Sequence, residues 1–312
     1  MKRYPELDVY AVDALTYAGF RENLPALEDA EKSRSGAYQF FSCDIANPDC
    51  LREIFEKHEI DTVINFAAET HVDRSLSRPD VFFHSNVLGA ACLLNIARDN
   101  HVRRFIQIST DEVYGSTPVG VQCAETSPLN PSSPYAASKA GAELAVLSYV
   151  RSFGFPAVIV RGANNYGPRQ YPEKIIPFFI ARALDGKSLP LYGDGQHERE
   201  WIHVTDFCRG ILTALESGAD GEIYNIGSNV HLQNHTLAKK ILAEVGKPEI
   251  EIEFVADRPG HDRQYRIDST KIRTLGFQPQ VAFDTGFAET VRWYIQSQER
   301  LRLIPAWDRD RC

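Results

Sequence analysis

The sequence has no C-x-x-C pair, no long basic run, no internal repeat and no low-complexity segment. No apolar run approaches the roughly 18 residues that a membrane-spanning helix needs. Each absence removes a class of function. The six cysteines, Cys43, Cys50, Cys92, Cys123, Cys208 and Cys312, are scattered. They read as free thiols of a reducing cytoplasm, not as a disulfide framework or a metal site. A net charge of −8 argues against nucleic acid or an anionic membrane as the main partner. The opening residues, MKRYPELD, carry no apolar core, so no signal peptide is expected.

What is present is ordinary in bulk and unusual in pattern. The 312 residues are 43% hydrophobic and 24% charged, the balance of a packed globule. Short β-rich runs alternate with helical patterns. Strands are expected at 8–13 (DVYAVD), 38–45, 62–68, 103–109 and 157–167, and helices at 50–58, 81–100 and 135–154. Near-continuous apolar strands joined by crossover helices imply a parallel sheet covered on both faces. Beyond about residue 168 the rhythm loosens into a smaller, mixed α/β lobe, with a return strand at EIYNIGS. The expected fold is α/β: a doubly wound, Rossmann-type parallel sheet over 1–168, with a smaller lobe over 169–312.

The polar clusters follow strand ends, where ligands of such sheets bind. Tyr135 and Lys139 form Y-x-x-x-K at a helix start, and the i, i+4 spacing puts both on one face. An ammonium beside the phenol is expected to lower its pKa and make Tyr135 a usable base. Asp13 closes a strand, where a carboxylate accepts hydrogen bonds from an adenosine ribose and repels a 2′-phosphate; a turn cap is an equal reading of this residue alone. Asp44, closing the next strand, is a second candidate toward adenine. After 62–68, Glu69, Thr70, His71, Asp73 and Arg74 crowd one loop. His71 has no second histidine nearby, so no metal is expected. Loops at 163–177, 192–200 and 257–265 gather Arg, Lys, Tyr, His and Asn, and guanidinium groups suit bidentate phosphate binding. Most unusual is STDEVYG, where Asp111 and Glu112 stand side by side after a strand.

DALTYAG, FAAETHVDRS, STDEVYG, SPYAASKA, NNYGPRQYPEKIIP, LPLYGDGQ and RPGHDRQY occur in this order. Together they resemble the nucleotide-sugar 4,6-dehydratases of the extended short-chain dehydrogenase/reductase superfamily, over residues 8 to 300. The resemblance implies NAD as the cofactor, a nucleotide sugar as the substrate and a homodimer built on the helices at 81–100 and 135–154. It implies that Tyr135 takes the 4-hydroxyl proton, Lys139 holds the nicotinamide ribose and Thr110 bonds the C4 oxygen. Glu112 then removes the C5 proton and Asp111, protonated at rest, protonates the departing 6-hydroxyl. Adjacent carboxyls are what an elimination across adjacent carbons needs. Asp13, Ala14, Leu15, Thr16, Asp44, Ile45, Phe66, Ala67, Ala68, Glu69, Thr70, Ser85 and Asn165 match cofactor positions. Thr70, Thr110, Asn164, Lys174, Ile175, Pro190, Leu191, Tyr192, Arg199, Asn234, Arg258, Pro259, Gly260, His261 and Asp262 match substrate positions.

The chain departs from the family in three places. A first strand and glycine-rich turn are expected before DVYAVD and are absent, with Met1 falling inside the family's first helix; a misassigned start or a fragment is the expected reason, a truncated protein the alternative. Gln264 stands where relatives often have Arg, and 228–234 lacks a basic run; both are expected near the nucleotide end. A nucleotide-sugar epimerase or decarboxylase, or a non-catalytic remnant, are the rival readings.

Overall fold

The computed structural model describes residues 4–23 and 36–302; Cys312 lies outside them. Four parallel strands make the main sheet, in the order β3 (Thr62–Asn65), β4 (Arg104–Thr110), β5 (Ala157–Gly162) and β9 (Ile223–Ile226). β5 is buried along its whole length and β4 at five of seven positions, as expected of strands covered on both faces. Phe105, Ile106, Ile108, Val158, Ile159 and Val160 supply their apolar positions. β1 (Val9–Asp13) and β2 (Tyr38–Ser42) form a parallel pair of their own, which shares a core with the main sheet through Val12 and Phe41. Among the described residues, β1 pairs only with β2, and no residue of β1 is fully buried. This is the Rossmann-like α/β fold expected from the alternating pattern.

Helices α1 (Pro48–Lys57), α2 (Val72–Ser77), α3 (Pro79–Asp99) and α4 (Pro134–Phe153) belong to this half. α4 starts where the sequence indicated. Ser133 caps it by accepting from Ala136 N at 3.1 Å, and Pro134 fills the first turn, where its missing N–H costs nothing. α3 is not regular. His84–Leu88 form a π-helical turn, which puts Asn86 inward. Its amide accepts from Glu69 N at 2.8 Å and donates to Glu69 O at 3.0 Å and to Ser138 Oγ at 2.8 Å. One side chain thereby satisfies the loop after β3 and ties it to α4.

β6 (Asn164–Tyr166), β7 (Leu189–Tyr192), β8 (Glu198–His203), β10 (His231–Gln233) and β11 (Ile252–Val255) make two smaller sheets, ordered β6-β8-β10 and β7-β11. α5 (Ile175–Leu184), α7 (Asn234–Val245) and α9 (Phe283–Gln296) share a core with them, built on Ile176, Ile180, Leu237, Ile241, Phe287 and Tyr294. α6 (Val204–Ser217) and α8 (Thr270–Thr274) pack instead with the main sheet. The return strand predicted at EIYNIGS is β9, paired with β5.

Three expectations are corrected. Residues 157–167 are two strands, because the chain turns at Ala163 and β6 leaves for β8. Cys43 and Cys50 are joined by a disulfide; β2 and α1 bring their Cα atoms to 6.2 Å, which scattered spacing did not reveal. Cys92, Cys123 and Cys208 are free. Finally, α3 is long and apolar enough to cross a membrane by length and composition, although no run of consecutive apolar residues announced it. In the fold, 44% of that apolar window is buried, and the π turn packs on α4.

Candidate active site

A cavity of about 890 Å³ opens at the carboxyl ends of β3, β4 and β5. The smaller sheets form its far wall. On the near wall stand Thr110, Asp111, Glu112, Tyr135 and Lys139, all expected from the sequence. β4 ends at Thr110, and residues Asp111–Tyr114 turn as a 3-10 helix. Gly115, at φ 69, stops that turn, and an added Cβ would meet Asn130 O at 2.1 Å. The tight turn is why adjacent residues can both face the cavity.

Thr110 Oγ is the hub. It accepts from Glu112 N at 3.2 Å and donates to Asp111 Oδ1 at 3.2 Å. Asp111 is 2% exposed, and its Oδ2 is buried without a hydrogen-bond partner. Burial first, and then the Glu112 carboxylate, lift the Asp111 pKa well above the usual aspartate range. That favours the protonated form expected for a general acid. Burial also raises Glu112, but Arg258, Arg199 and Lys174 oppose it and favour its charged form. Two neighbouring carboxyls thus have different surroundings, the arrangement that separates an acid from a base.

The expected tuning of Tyr135 by Lys139 is not what the structure displays. Burial, then Glu112, push the Tyr135 pKa up. The Lys139 ammonium donates to Ile108 O at 2.7 Å, and its own pKa is lowered by burial to about 8. The i, i+4 spacing put both on one face, but burial of the phenol outweighs the cation.

Below this cluster lies a charged group that the sequence reading missed. Arg161, on β5, is fully buried against Glu143 of α4, with an N–O distance of 2.6 Å. It also donates to the Tyr114 hydroxyl at 2.7 Å, and that hydroxyl donates to Asn225 at 2.8 Å. Glu143 follows Lys139 by one helical turn, and Tyr114 closes the turn holding Asp111. The network therefore fixes α4 against the acid-bearing turn. Periodicity could not show it, because Arg161 sits inside an apolar run.

The far wall is cationic. Lys174, Arg199 and Arg258 line it, with Asn164, Asn165, Ile175, Pro190, Leu191, Tyr192, Asn234 and His261. Lys174 donates to Thr70 O at 2.7 Å, tying the walls together. Arg258 and Tyr192 both bond Asp73, at 2.9 and 3.1 Å. Asp73 was legible only as one of several charges after β3. Arg199 donates to Asp262 O at 3.1 Å and stacks 4.4 Å from the Tyr265 ring. His197, Asp257 and His261 converge, with Asp257 3.3 Å from His197 Nε2 and 2.7 Å from His261 Nδ1. His71, weighed as a metal ligand, caps α2 by accepting from Arg74 N at 3.2 Å.

Several expected contacts do not line the cavity. Asp262 is buried and accepts from Tyr265 at 2.7 Å, while Gly260, at φ 65, turns so tightly that a Cβ would meet Ser132 O at 2.5 Å. Pro259 also lies outside the lining. Gln264 donates to Thr117 O and Pro118 O, both at 2.9 Å, so its side chain supports a loop. Of the cofactor set, Phe66, Ala68, Thr70, Tyr135, Lys139 and Asn165 line the cavity. Glu69 is buried in an ion pair with Arg74 at 3.0 Å, and the Ile45 side chain is in the core. Asp13 and Asp44 stand exposed at the ends of β1 and β2. Asp13 accepts from Leu15 N at 2.7 Å and Asp44 from Ala46 N at 2.8 Å, so each caps its own turn and keeps a second oxygen. Ala14, Leu15 and Thr16 form the turn after β1, Ala67 continues the loop after β3, and Ser85 lies in the π turn.

Fold and site together define an enzyme class, and comparison with known proteins agrees. The family described as GDP-mannose 4,6 dehydratase matches residues 4–290, and the chain belongs to that family. It is 47% identical to a dTDP-glucose 4,6-dehydratase of Actinoplanes sp. over 291 residues, 93% of this chain and 88% of the relative. The solved structure of DesIV, a dTDP-glucose 4,6-dehydratase of Streptomyces venezuelae with NAD bound, superposes with a TM-score of 0.89 at 47% identity, covering 94% of this chain and 88% of that one. A UDP-glucose 4-epimerase of Thermotoga maritima shares the fold at a TM-score of 0.85 and 29% identity, covering 93% and 92%.

Proposed function

We propose that the chain is an NAD-dependent nucleotide-sugar 4,6-dehydratase that converts dTDP-glucose to dTDP-4-keto-6-deoxyglucose. One observation carries this reading: Thr110, Asp111 and Glu112 face Tyr135 across one cavity, with the carboxyls in different electrostatic surroundings. An epimerase needs no acid–base pair at C5 and C6, so the two carboxyls speak against that rival.

The buried, unpartnered Ser109 Oγ and Asn165 Oδ1, with Tyr135 and Lys139, fit the nicotinamide riboside end of NAD. The exposed carboxylates of Asp13 and Asp44 fit its adenosine end. When bound, NAD supplies reversible hydride transfer. Tyr135 takes the proton from the 4-hydroxyl, whose oxygen Thr110 positions. The 4-keto group acidifies C5–H, and Glu112 takes that proton. Asp111 gives its proton to the 6-hydroxyl, which leaves as water. Lys174, Arg199 and Arg258 hold the diphosphate.

Residues 1–168 form the cofactor-binding part and 169–312 most of the substrate lobe, in a cytoplasmic enzyme. A homodimer forms through α3 and α4, supported by exposed Phe83, Leu88, Leu144 and Phe153 on those helices. The test is incubation with dTDP-glucose and NAD⁺, with product detected by absorbance in alkali. A 4-keto-6-deoxy sugar is the expected product. A 4-epimerised sugar, or no product, overturns the reading.

A further inference from the structure

Two residues of the sequence motifs take no part in the proposed reaction: Tyr17 of DALTYAG and Glu173 of PEKIIP. In the fold they meet. The Tyr17 hydroxyl donates to Glu173 Oε1 at 2.9 Å. The Arg74 guanidinium lies 3.6 Å over the Tyr17 ring and also holds Glu69 at 3.0 Å. Tyr171 stands edge-on to Tyr17 at 5.6 Å and stacks on Phe20 at 5.4 Å. Three segments therefore join at the Tyr17 side chain: the turn after β1, the start of α2 and residues 171–174.

The Glu173 side chain is 1% exposed, with Lys174 Nζ 3.7 Å away. Burial, then the Glu173 carboxylate, push the Tyr17 pKa up, so the phenol stays a donor. A hydrogen bond to a charged, buried acceptor is among the stronger ones. Glu173 and Lys174 are consecutive, yet they serve different sides. Glu173 takes the Tyr17 hydroxyl. Lys174 lines the cavity and donates to Thr70 O at 2.7 Å. One short loop thus touches both the turn that follows Asp13, proposed for the adenosine end, and the cation proposed for the diphosphate.

We propose that Tyr17 is a positioning residue that latches the adenosine turn to the diphosphate loop, so that a bound nucleoside diphosphate tightens the hold on NAD. This inference rests on the dehydratase reading above. That reaction supplies the need for a latch. Hydride leaves C4 and returns to C6, so the reduced cofactor must stay bound between the two transfers. β1 gives the adenosine end little support of its own, since it pairs only with β2 among the described residues. A diphosphate on Lys174 fixes residues 171–174 from the substrate side, and Glu173 passes that order to Tyr17. The ordering cost falls on whichever ligand binds first. The second ligand meets a loop already held, and the coupling is reciprocal.

A residue that only supported the turn would change NAD⁺ affinity equally with and without the nucleotide. A latch changes the ratio of the two affinities. The experiment measures the NAD⁺ dissociation constant of the full chain, with and without saturating dTDP, in wild type, Tyr17→Phe, Glu173→Met and the double variant. In wild type, dTDP is expected to tighten NAD⁺ binding about fivefold or more, the low end of ordinary coupling. Tyr17→Phe keeps the ring and its stacking and is expected to bring that ratio close to one. Glu173→Met removes the acceptor from the other side and is expected to lose the same ratio, with the double variant losing no more than either. The latch is overturned if wild type shows no coupling, if Tyr17→Phe keeps the wild-type ratio, or if the double variant loses more than either single one. Keto-sugar formation from dTDP-glucose is followed separately. Product without coupling overturns the latch and leaves the dehydratase reading standing. If wild type makes no keto sugar at all, that reading falls, and the latch with it.

Discussion

The two halves of the candidate site are built on unequal foundations. The reacting centre stands on β4 and β5, each flanked by strands on both sides and buried almost throughout. The proposed adenosine end stands on β1 and β2, which pair only with each other among the described residues, with β1 nowhere fully buried. Acid and base chemistry needs groups held within a fraction of an ångström and shielded from water, which is what a fully covered parallel strand supplies. Exposed carboxylates proposed to hold a ribose can tolerate a looser support.

The largest effect expected from this contrast is at Glu112. Glu112→Gln should lower dehydration about 10²- to 10⁴-fold, the usual worth of a positioned general base. It should also abolish exchange of the C5 hydrogen with solvent. Exchange at the wild-type rate would remove Glu112 from its role. Next comes the support beneath the centre. Arg161→Met strands the Glu143 carboxylate in the core and should cost about 3–5 kcal/mol in urea unfolding. Val12→Ala on half-exposed β1 should cost only about 1 kcal/mol. Equal costs would break the comparison between the two halves.

The smallest effect is one of pH and sign. The folded-state pKa of Asp111 lies above its unfolded value, so between those two values the native state binds the extra proton. Stability therefore falls as pH rises through that window and stays reduced above it. Asp111→Asn should raise the melting temperature at neutral pH, and the gain should vanish below the ordinary aspartate range. A gain that persists in acid would mean that burial of a charge is not its source.

Much of this was legible in the sequence, for identifiable reasons. Periodicity placed α4 within one residue at each end, because Ser133-Pro134 and Gly154 are strong boundary signals. Burial could not be read so directly. The sequence spacing of Tyr135 and Lys139 suggested that a cation sets the phenol's pKa, whereas desolvation dominates. Asp262 was expected at a substrate position and Gln264 near the nucleotide end; that Asp262 accepts from the Tyr265 hydroxyl and Gln264 donates to Thr117 O could not be read from the sequence. The Cys43–Cys50 bond and the apolar length of α3 also depended on how separate turns came together.

The sequence by itself determined the alternating α/β order, the chemistry-bearing residues and the adjacency of the two carboxyls. These are properties of periodicity and residue type along the chain. Only the tertiary structure decided which carboxyl lies against cations, which phenol is desolvated, and which strands have a neighbour. Those depend on what desolvates each group and what charge stands beside it in space, and neither is a function of distance along the chain.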